Sequence, residues 1–295
     1  MKKAKLATCL LILSLISLIS LNRPVSSEPP PERSGGREAP YHDTRVNLNG
    51  HTVEFDKDLP PEVAAELKAK KENALDDIIG VYEQVDWSKY SEAACLDKFL
   101  IQGCNDIVRA ELRSNKNARV KVKDFLTNNP DSNAKYILLA IIRSEQMKDA
   151  DIASAAALFT ANPSKEIRFE AIKIIALQND KSYLPELKKI LSSEKDKCLR
   201  VHAAEGMAKL GEQAGYDEIS EAAADADAIV RISAFRSLGE IGSPKAQAII
   251  EKLIKKLSKT EKNPSVRSAM ADSLRKITGL PVNEIREKYL GEKFQ

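Results

Sequence analysis

The feature that most constrains this chain is a motif that returns at intervals of 31 to 36 residues in its C-terminal half. Each copy carries one basic residue in a fixed position relative to apolar residues, which stand one position before it, three after it and seven after it. These offsets lie on one face of an α-helix. A pattern with this period indicates repeated units rather than one irregular core. The basic residues are Lys135, Arg168, Arg200, Arg231 and Arg267.

A helix-start signal occurs at the same phase of every copy. Four positions before each basic residue stands a residue type that caps helix N-termini. Pro264, directly after the last of these residues, is preferred as the first residue of a helix. We therefore expect a new helix to begin just after each cap. The predicted cap residues are Asp131, Ser164, Asp196, Asp227 and Asn263.

Between successive copies there is room for a second helix. A helical hairpin of about 33 residues cannot bury its apolar face alone, so such units must stack on one another. We predict an all-α chain in which about five repeats form an α-solenoid over residues 130–295. The second helices are expected at residues 149–159, 183–191, 216–224, 244–257 and 281–290.

The N-terminus has the pattern of an export signal. Three lysines in the first five residues precede an apolar run at Leu6–Leu21, and Val25–Ser27 fits a cleavage site. We predict that residues 1–27 are a signal peptide and that the protein is exported, to the periplasm or outside the cell. The alternative is an uncleaved segment that anchors the chain in the membrane.

Three further regions precede the repeats. Residues 28–45 are rich in Pro, Gly and charge, which predicts a disordered linker. Residues 46–57 are predicted to form a β-hairpin, because alternating apolar residues flank Asn49-Gly50, the preferred pair for a type I′ turn. A lone hairpin is marginally stable, so it must dock on the following helices. Residues 58–129 are predicted to be a helical region that caps the solenoid.

The charge balance argues against a nucleic-acid partner. The chain has 46 Lys and Arg against 43 Asp and Glu, and four of the basic residues lie within the predicted signal peptide. Without that segment, 42 basic residues face 43 acidic ones, so no basic footprint for nucleic acid remains. We expect a protein or peptide partner, with membrane contact only through the N-terminal segment if it stays uncleaved.

The residue types needed for catalysis or metal binding are not grouped in this sequence. The histidines are His42, His51 and His202, and no grouping of His and Cys has metal-ligand spacing. We expect His202 to be a partly exposed surface residue. Asp225 and Asp227 could hold a cation, but Asp227 is already assigned as a helix cap and Asp225 to the turn between repeats. We predict no catalytic residue, no cofactor and no metal.

Two cysteines could form a disulfide. Cys95 and Cys104 can be bridged only if the chain turns near Gly103, because on one straight helix they would lie about 13 Å apart. Otherwise they act as small buried apolar residues.

The repeats carry a family resemblance. Asp227-x-x-x-Arg231-x-x-Ala234, the following stretch 237–244 and the stretch 202–211 resemble the HEAT-repeat signature of the phycobilin-lyase-like subclass. The resemblance covers about residues 131–290. It implies an α-solenoid that serves as a scaffold or binding surface. The repeated His-Glu motifs of the HEAT-like di-iron hydroxylases do not occur in this sequence.

The same resemblance implies that the second helices form the inner, concave layer. A groove of mixed charge there would suit a charged protein or peptide. We interpret the arginines as structural, with stems packed over the first helix and head groups paired near a cap, and a binding stripe is the alternative. The candidate partner-binding residues are Lys188, Lys189, Glu218, Glu221, Lys252, Lys255 and Lys256.

These observations favour an exported, non-catalytic protein-binding scaffold. One alternative is a chromophore lyase or isomerase like those of the phycobilin family, but such enzymes act where their apoproteins are made, which conflicts with export. The other alternative is a membrane-tethered structural component of an envelope complex. It differs from the first hypothesis only in whether the N-terminal segment is cleaved.

Overall fold

The computed structural model describes residues 45–48, 51–54, 59–84 and 101–292. The chain divides into two compact units, residues 1–145 and residues 146–295. The predicted signal peptide, the predicted linker before Arg45 and the predicted Asn49-Gly50 turn lie outside the described residues. Within the described ranges, no helix is both long and apolar enough to cross a membrane.

The N-terminal unit begins with the predicted hairpin. Strands β1 (Arg45–Leu48) and β2 (His51–Glu54) pair antiparallel, with Leu48 opposite His51. The linker prediction for residues 28–45 was therefore one residue too long, because Arg45 already pairs with Glu54. Leu48 and Val53 are buried, and β1 packs against the second helix of the unit, which confirms the docking that a lone hairpin requires.

In residues 59–84 and 101–145, the remaining described part of this unit, the regular elements are helices. Apolar residues between Val63 and Tyr82 recur at helical spacing and are buried, and a short 3₁₀ turn at Lys71–Asn73 divides them between two helices. Tyr82 is fully buried, and its hydroxyl donates a hydrogen bond to Asn105 Oδ1 at 2.6 Å. The helices are α1 (Pro61–Lys70), α2 (Ala74–Glu83), α3 (Ile101–Ser114), α4 (Lys116–Asn128) and α5 (Lys135–Ser144).

The first predicted repeat copy departs from the pattern. Asp131 does not cap a helix, since α5 begins at Lys135 with Ala134 as its N-cap residue and no side-chain cap. Glu83, at the end of α2, accepts hydrogen bonds there instead from Ser132 Oγ and from the backbone N–H groups of Asn133 and Ala134. Because a carboxylate from another helix satisfies these donors, α5 belongs to the N-terminal unit and not to the regular repeats.

The region of the predicted disulfide is partly described. Gly103 lies within α3, so the chain does not turn at this residue, and the residues just before Ile101 lie outside the described ranges. Cys104 is buried on the same helix, and burial raises the pKa of its thiol to about 12. Cys104 is a free cysteine, which agrees with the alternative of a small buried apolar residue, and Cys95 lies outside the described residues.

The C-terminal unit is a succession of helical hairpins. We call α7, α9, α11 and α13 the first helices, and α8, α10, α12 and α14 the second helices. A 3₁₀ turn at Lys181–Tyr183 precedes α8. The helices are α6 (Ala150–Ala157), α7 (Lys165–Leu177), α8 (Leu184–Ser193), α9 (Lys197–Lys209), α10 (Gln213–Ala222), α11 (Ala228–Ile241), α12 (Pro244–Leu257), α13 (Pro264–Thr278) and α14 (Val282–Leu290).

The predicted caps are confirmed for these four first helices. Ser164 accepts from Ile167 N at 3.4 Å, and the other three accept from backbone N–H groups at 2.8 to 3.2 Å. Each repeat arginine is consequently the fourth residue of its helix. The capped helices begin after Ser164, Asp196, Asp227 and Asn263.

The hairpins stack in sequence order. α7 packs on α9, α9 on α11 and α11 on α13, and each second helix packs on the first helix of its own hairpin or its neighbour. The predicted apolar positions of the four copies are all buried, so stacking covers the face that a single hairpin would leave in water. Residues 146–295 are an all-α solenoid. The buried repeat positions are Ile167, Leu199, Val230, Val266, Ala171, Ala203, Ala234, Met270, Ile175, Met207, Leu238 and Leu274.

Candidate functional site

The repeat arginines join neighbouring repeats. Arg231 donates from Nε and Nη2 to the Glu261 carboxylate at 2.7 and 3.1 Å, and from Nη1 to the carbonyl oxygens of Asp225 and Ala226 at 2.8 and 3.0 Å. Glu261 stands two residues before the cap of the next first helix, and it also accepts from Asn263 N at 2.8 Å. One arginine thus connects the loop before its own helix to the loop before the next.

We call this bridge, from a repeat arginine to a carboxylate of the following loop, the arginine clamp. It recurs along the stack. Arg168 donates to Glu194 at 2.7 and 3.2 Å, and Arg267 donates to Glu292 at 2.7 Å. Burial raises the pKa of Glu194 and of Glu261, but the arginine hydrogen bonds, the backbone hydrogen bonds to each carboxylate and the arginine charge together lower both pKa values. The structural interpretation of the arginines is therefore supported by three of the four regular copies.

Arg200 is the exception, because its neighbouring repeat offers a shorter carboxylate. Asp225 stands two residues before a helix cap, as Glu194 and Glu261 do in their repeats. Its carboxylate lies 2.5 Å from Lys197 Nζ. Arg200 donates instead to Glu218 on α10 at 2.8 Å. Arg200 Nε is buried without a hydrogen-bond partner among the described residues.

We expect Asp225→Glu to stabilise the protein by about 0.5 to 1 kcal/mol. The added methylene lets the carboxylate reach Arg200 and satisfy its buried Nε, as Glu261 does for Arg231. Urea unfolding of the variant and of the wild type measures the difference. Asp217→Glu, an exposed change of the same kind on α10, serves as control. A destabilisation by Asp225→Glu would contradict this explanation of the exception.

A buried ionic cluster links three first helices. Glu205 on α9 has a side chain only 1% exposed, and its carboxylate lies 3.0 Å from Lys173 Nζ on α7 and 2.7 Å from Lys209 Nζ. Ser237 on α11 donates to it at 2.9 Å, and His202 Nδ1 lies 3.7 Å away. The carboxylate is surrounded by compensating groups, as a buried charge requires.

The charge state of Glu205 follows from these neighbours. Burial raises the pKa of the Glu205 carboxyl, but Lys173, His202 and Lys209 together hold it well below its ordinary value of 4.5. Sequence reasoning missed this cluster. The available signal was that Lys173 and Glu205 both stand five positions after their repeat arginines, which places them on equivalent positions of adjacent helices.

The lowered pKa of Glu205 predicts acid sensitivity. A carboxyl whose pKa is lower in the folded state stabilises the fold above its unfolded pKa of about 4.3, and this contribution is lost as pH falls through the folded value. In Glu205→Gln, we expect the free energy of unfolding to fall less steeply below about pH 4.3 than in the wild type. Urea unfolding at a series of pH values measures both slopes. Equal slopes would contradict the role assigned to Glu205.

The predicted partner-binding residues lie on the second helices and differ in availability. The side chains of Lys188 and Lys189 are 53% and 67% exposed, and they approach Glu212 at 3.2 Å and Glu186 at 3.6 Å. Glu221 is exposed, whereas the side chain of Glu218 is 17% exposed and held by Arg200. Exposed pairs of this kind contribute little to stability.

The three predicted binding lysines on α12 are both exposed and, among the described residues, outside any ion pair, so they can contact a partner most easily. Lys252, Lys255 and Lys256 are exposed, and none forms an ion pair within the described part of the chain. Together with Lys188, Lys189 and Glu221 they define what we call the second-helix face. Its assignment to the concave side of the solenoid stays a prediction.

An open groove borders this face at α8. It has a volume of about 350 Å³ and lies between the loop after α6 and the side chains of α8. Lys189 and Glu186 line it, and Thr160 Oγ1 donates to Glu186 at 2.6 Å. The Arg168–Glu194 pair forms part of its wall.

The residues considered for metal binding have other contacts. Asp225 Oδ1 accepts from Asp227 N at 2.9 Å, and Asp227 caps α11. His202 is more covered than we expected for a surface residue, with a side chain 15% exposed and its ring 5.2 Å from that of Phe169. In the described ranges, no group of three or more His, Cys, Asp or Glu could hold a metal ion.

Residues 216–284 match the family of HEAT repeats, and this stretch runs from α10 into α14. No curated protein matches the chain. The match lies within the stacked hairpins and agrees with their repeat geometry.

Proposed function

We propose that this protein is an exported, non-catalytic scaffold that binds a protein or peptide partner on the second-helix face. HEAT repeats generally act in protein interaction, which supports the binding role. The observation that carries the choice of face is a difference between the two helix layers. Several charged groups of the first helices form buried ion pairs between repeats, whereas several charged groups of the second helices are exposed and form no ion pair among the described residues.

The engaged groups of the first helices hold repeats together. Arg231 and Glu261 are 16% and 7% exposed, and Glu205 is almost fully covered. A partner that recruited these groups would have to break buried pairs, at a cost of about 3 to 5 kcal/mol for each. The exposed charges of the second-helix face can contact a partner without that cost, which favours this face for binding.

The proposal places the protein outside the cytoplasm. This proposal is supported by residues 1–27, in which lysines are followed by an apolar run and then by residues that fit a cleavage site. That order is typical of a signal peptide. We expect N-terminal sequencing of the protein isolated from its cell envelope to begin at Glu28. A chain that begins at Met1 or Lys2 and fractionates with membranes would replace the exported form with the membrane-tethered alternative.

The binding face can be tested with a photo-crosslinking amino acid placed at single positions in the native envelope. Lys188, Glu221 and Lys252 sample three second helices, and Asp272 on α13 is an exposed first-helix control. We expect one partner band shared by the three second-helix positions and missing at the control. Adducts of equal yield at Asp272, or adducts only there, would contradict the proposed face.

The proposal also makes a chemical prediction. A scaffold without catalytic function should form no covalent adduct with a bilin. We expect an unchanged absorbance spectrum after incubation of the protein with a bilin and removal of unbound pigment. A saturable, red-shifted adduct would favour the chromophore-lyase alternative instead.

A further inference from the structure

Five lysines form a concentrated positive surface at the end of α12. Lys252, Lys255 and Lys256 lie on the helix, and Lys259 and Lys262 follow in the loop. All five are exposed. Lys262 Nζ donates to the carbonyl oxygen of Lys259 at 3.3 Å, and no ion pair involves any of the five among the described residues. We call this set the α12 lysine surface.

Neither Glu251 nor Glu261, the carboxylates of the same stretch, forms an ion pair with these lysines among the described residues. Glu251 accepts hydrogen bonds from Gln247 at 3.0 Å and from Tyr289 at 3.5 Å. Glu261 is held by the bidentate clamp of Arg231, and its side chain is 7% exposed. Because Glu261 is paired with Arg231, Glu251 supplies one negative charge beside five lysines, and the α12 lysine surface keeps an excess of positive charge.

What distinguishes the α12 lysine surface is the grouping of its lysines, since Lys148, Lys181 and Lys195 elsewhere in the unit are also exposed and form no ion pair among the described residues. The negative end of the helix dipole accounts for Lys255 and Lys256, which lie in the last turn of α12, but not for the rest. Like charges held together repel one another, and a negative partner removes that repulsion. Lysines of this unit that do have a carboxylate partner are Lys165, Lys173, Lys188, Lys189, Lys197, Lys209 and Lys276.

We propose, on the basis of the scaffold function proposed above, that the α12 lysine surface binds an acidic polypeptide segment in an extended conformation. Lys252 and Lys256 are one helical turn apart, so they are separated by about 6 Å along the axis. In an extended chain, every second residue recurs at about 6.6 Å on the same side. A run of Glu or Asp residues therefore presents carboxylates at the spacing of these lysines.

The residues around the surface favour a polypeptide over a lipid bilayer. Membrane-binding amphipathic helices insert apolar side chains beside their basic residues. In α12, Ile250 and Ile254 are buried, and Leu253 packs against the core of the unit. The exposed large apolar side chains of the described residues, Val120 and Leu158, belong to other helices.

Nucleic acid is also disfavoured by the composition of the surface. Recognition of single strands relies on aromatic or arginine side chains that stack on bases. Residues 252–262 contain neither type. Lysine carries a compact charge on a flexible stem, which can follow the carboxylates of a flexible acidic chain.

Fluorescence anisotropy with a fluorescein-labelled poly-glutamate peptide tests this proposal on the full chain. We expect saturable binding that weakens as salt is raised, because screening shortens the reach of exposed charges. Replacing Lys252, Lys255 and Lys256 by Gln should weaken binding about tenfold. The matched control replaces Lys148, Lys181 and Lys195 by Gln, which removes the same charge from exposed positions elsewhere in the unit and should change binding less than about twofold.

Three outcomes would overturn the inference. The first is equal weakening of peptide binding by the two triple variants. The second is the failure of the peptide to bind at low salt. The third is binding to vesicles with anionic phosphatidylglycerol, or to single-stranded DNA, in place of the peptide. If the α12 triple variant still gives the photo-crosslinked partner band, the acidic-segment inference fails while the proposed scaffold function stands.

Discussion

Glu205→Ala is expected to lower the free energy of unfolding by about 3 kcal/mol. The change removes the carboxylate that compensates Lys173 and Lys209, whose side chains are only 16% and 18% exposed. It also leaves the Ser237 hydroxyl without its acceptor. Because Lys173, Glu205 and Ser237 lie on three successive first helices, the loss weakens two interfaces between repeats at once.

Urea unfolding followed by circular dichroism measures this effect. Glu221→Ala is the matched control, since Glu221 is an exposed glutamate on α10, and we expect it to change stability by less than about 0.5 kcal/mol. A similar small change for Glu205→Ala would show that the buried cluster does not join the repeats.

Gly215→Ala is expected to cost about 3 kcal/mol. Gly215 lies on α10 where this helix crosses α9 most closely. An added Cβ would lie 2.4 Å from the carbonyl oxygen of Ala204 and 2.6 Å from the backbone nitrogen of Ala208. Both contacts are with helix backbone, which cannot rotate away as a side chain can, so α10 must move off α9 and lose packing.

Gly80→Ala in α2 provides the control for helix propensity. Nothing lies within 4 Å of the Cβ that would be added there, and alanine favours a helix over glycine by about 1 kcal/mol. We therefore expect a neutral or raised melting temperature for Gly80→Ala and a clear decrease for Gly215→Ala. A neutral Gly215→Ala variant would contradict the close α9–α10 packing.

Local sequence signals predicted the repeats well. A cap and a buried apolar face are properties of one helix, so Asp196, Asp227 and Asn263 could be assigned from spacing alone. The bounds of α12 were predicted as residues 244–257, and they agree with Pro244–Leu257 because Ser243 caps this helix and Pro244 opens it.

Contacts between distant helices were not predictable from these signals. Asp131 has the residue type of a cap, but Glu83 of another helix, 51 residues before Ala134, reaches the N-terminus of α5. The repeat motif likewise does not show that Asp225 is one methylene too short to clamp Arg200. Both outcomes depend on side-chain reach across packed helices, which a one-dimensional pattern does not contain.

The candidate binding face was predictable only in part. Lys252, Lys255 and Lys256 could be placed on a second helix by periodicity, and the structure confirms that they lie there, exposed. Glu218 could be placed with equal ease, but its engagement by Arg200 depends on the adjacent helix. Helical periodicity predicts which side chains are exposed. Whether a charged side chain already has an ion-pair partner depends on the helices packed beside it.

The central claim is that hairpins of the C-terminal unit contact their neighbours in sequence order. A zero-length carbodiimide tests it directly, because it joins only amines and carboxylates that touch. We expect peptide mapping by mass spectrometry to find the crosslinks Lys165–Asp196, Lys197–Asp225 and Glu240–Lys276, each between successive repeats. Crosslinks of equal yield between α7 and α13 would contradict the stack, because they require helices gathered round one common core.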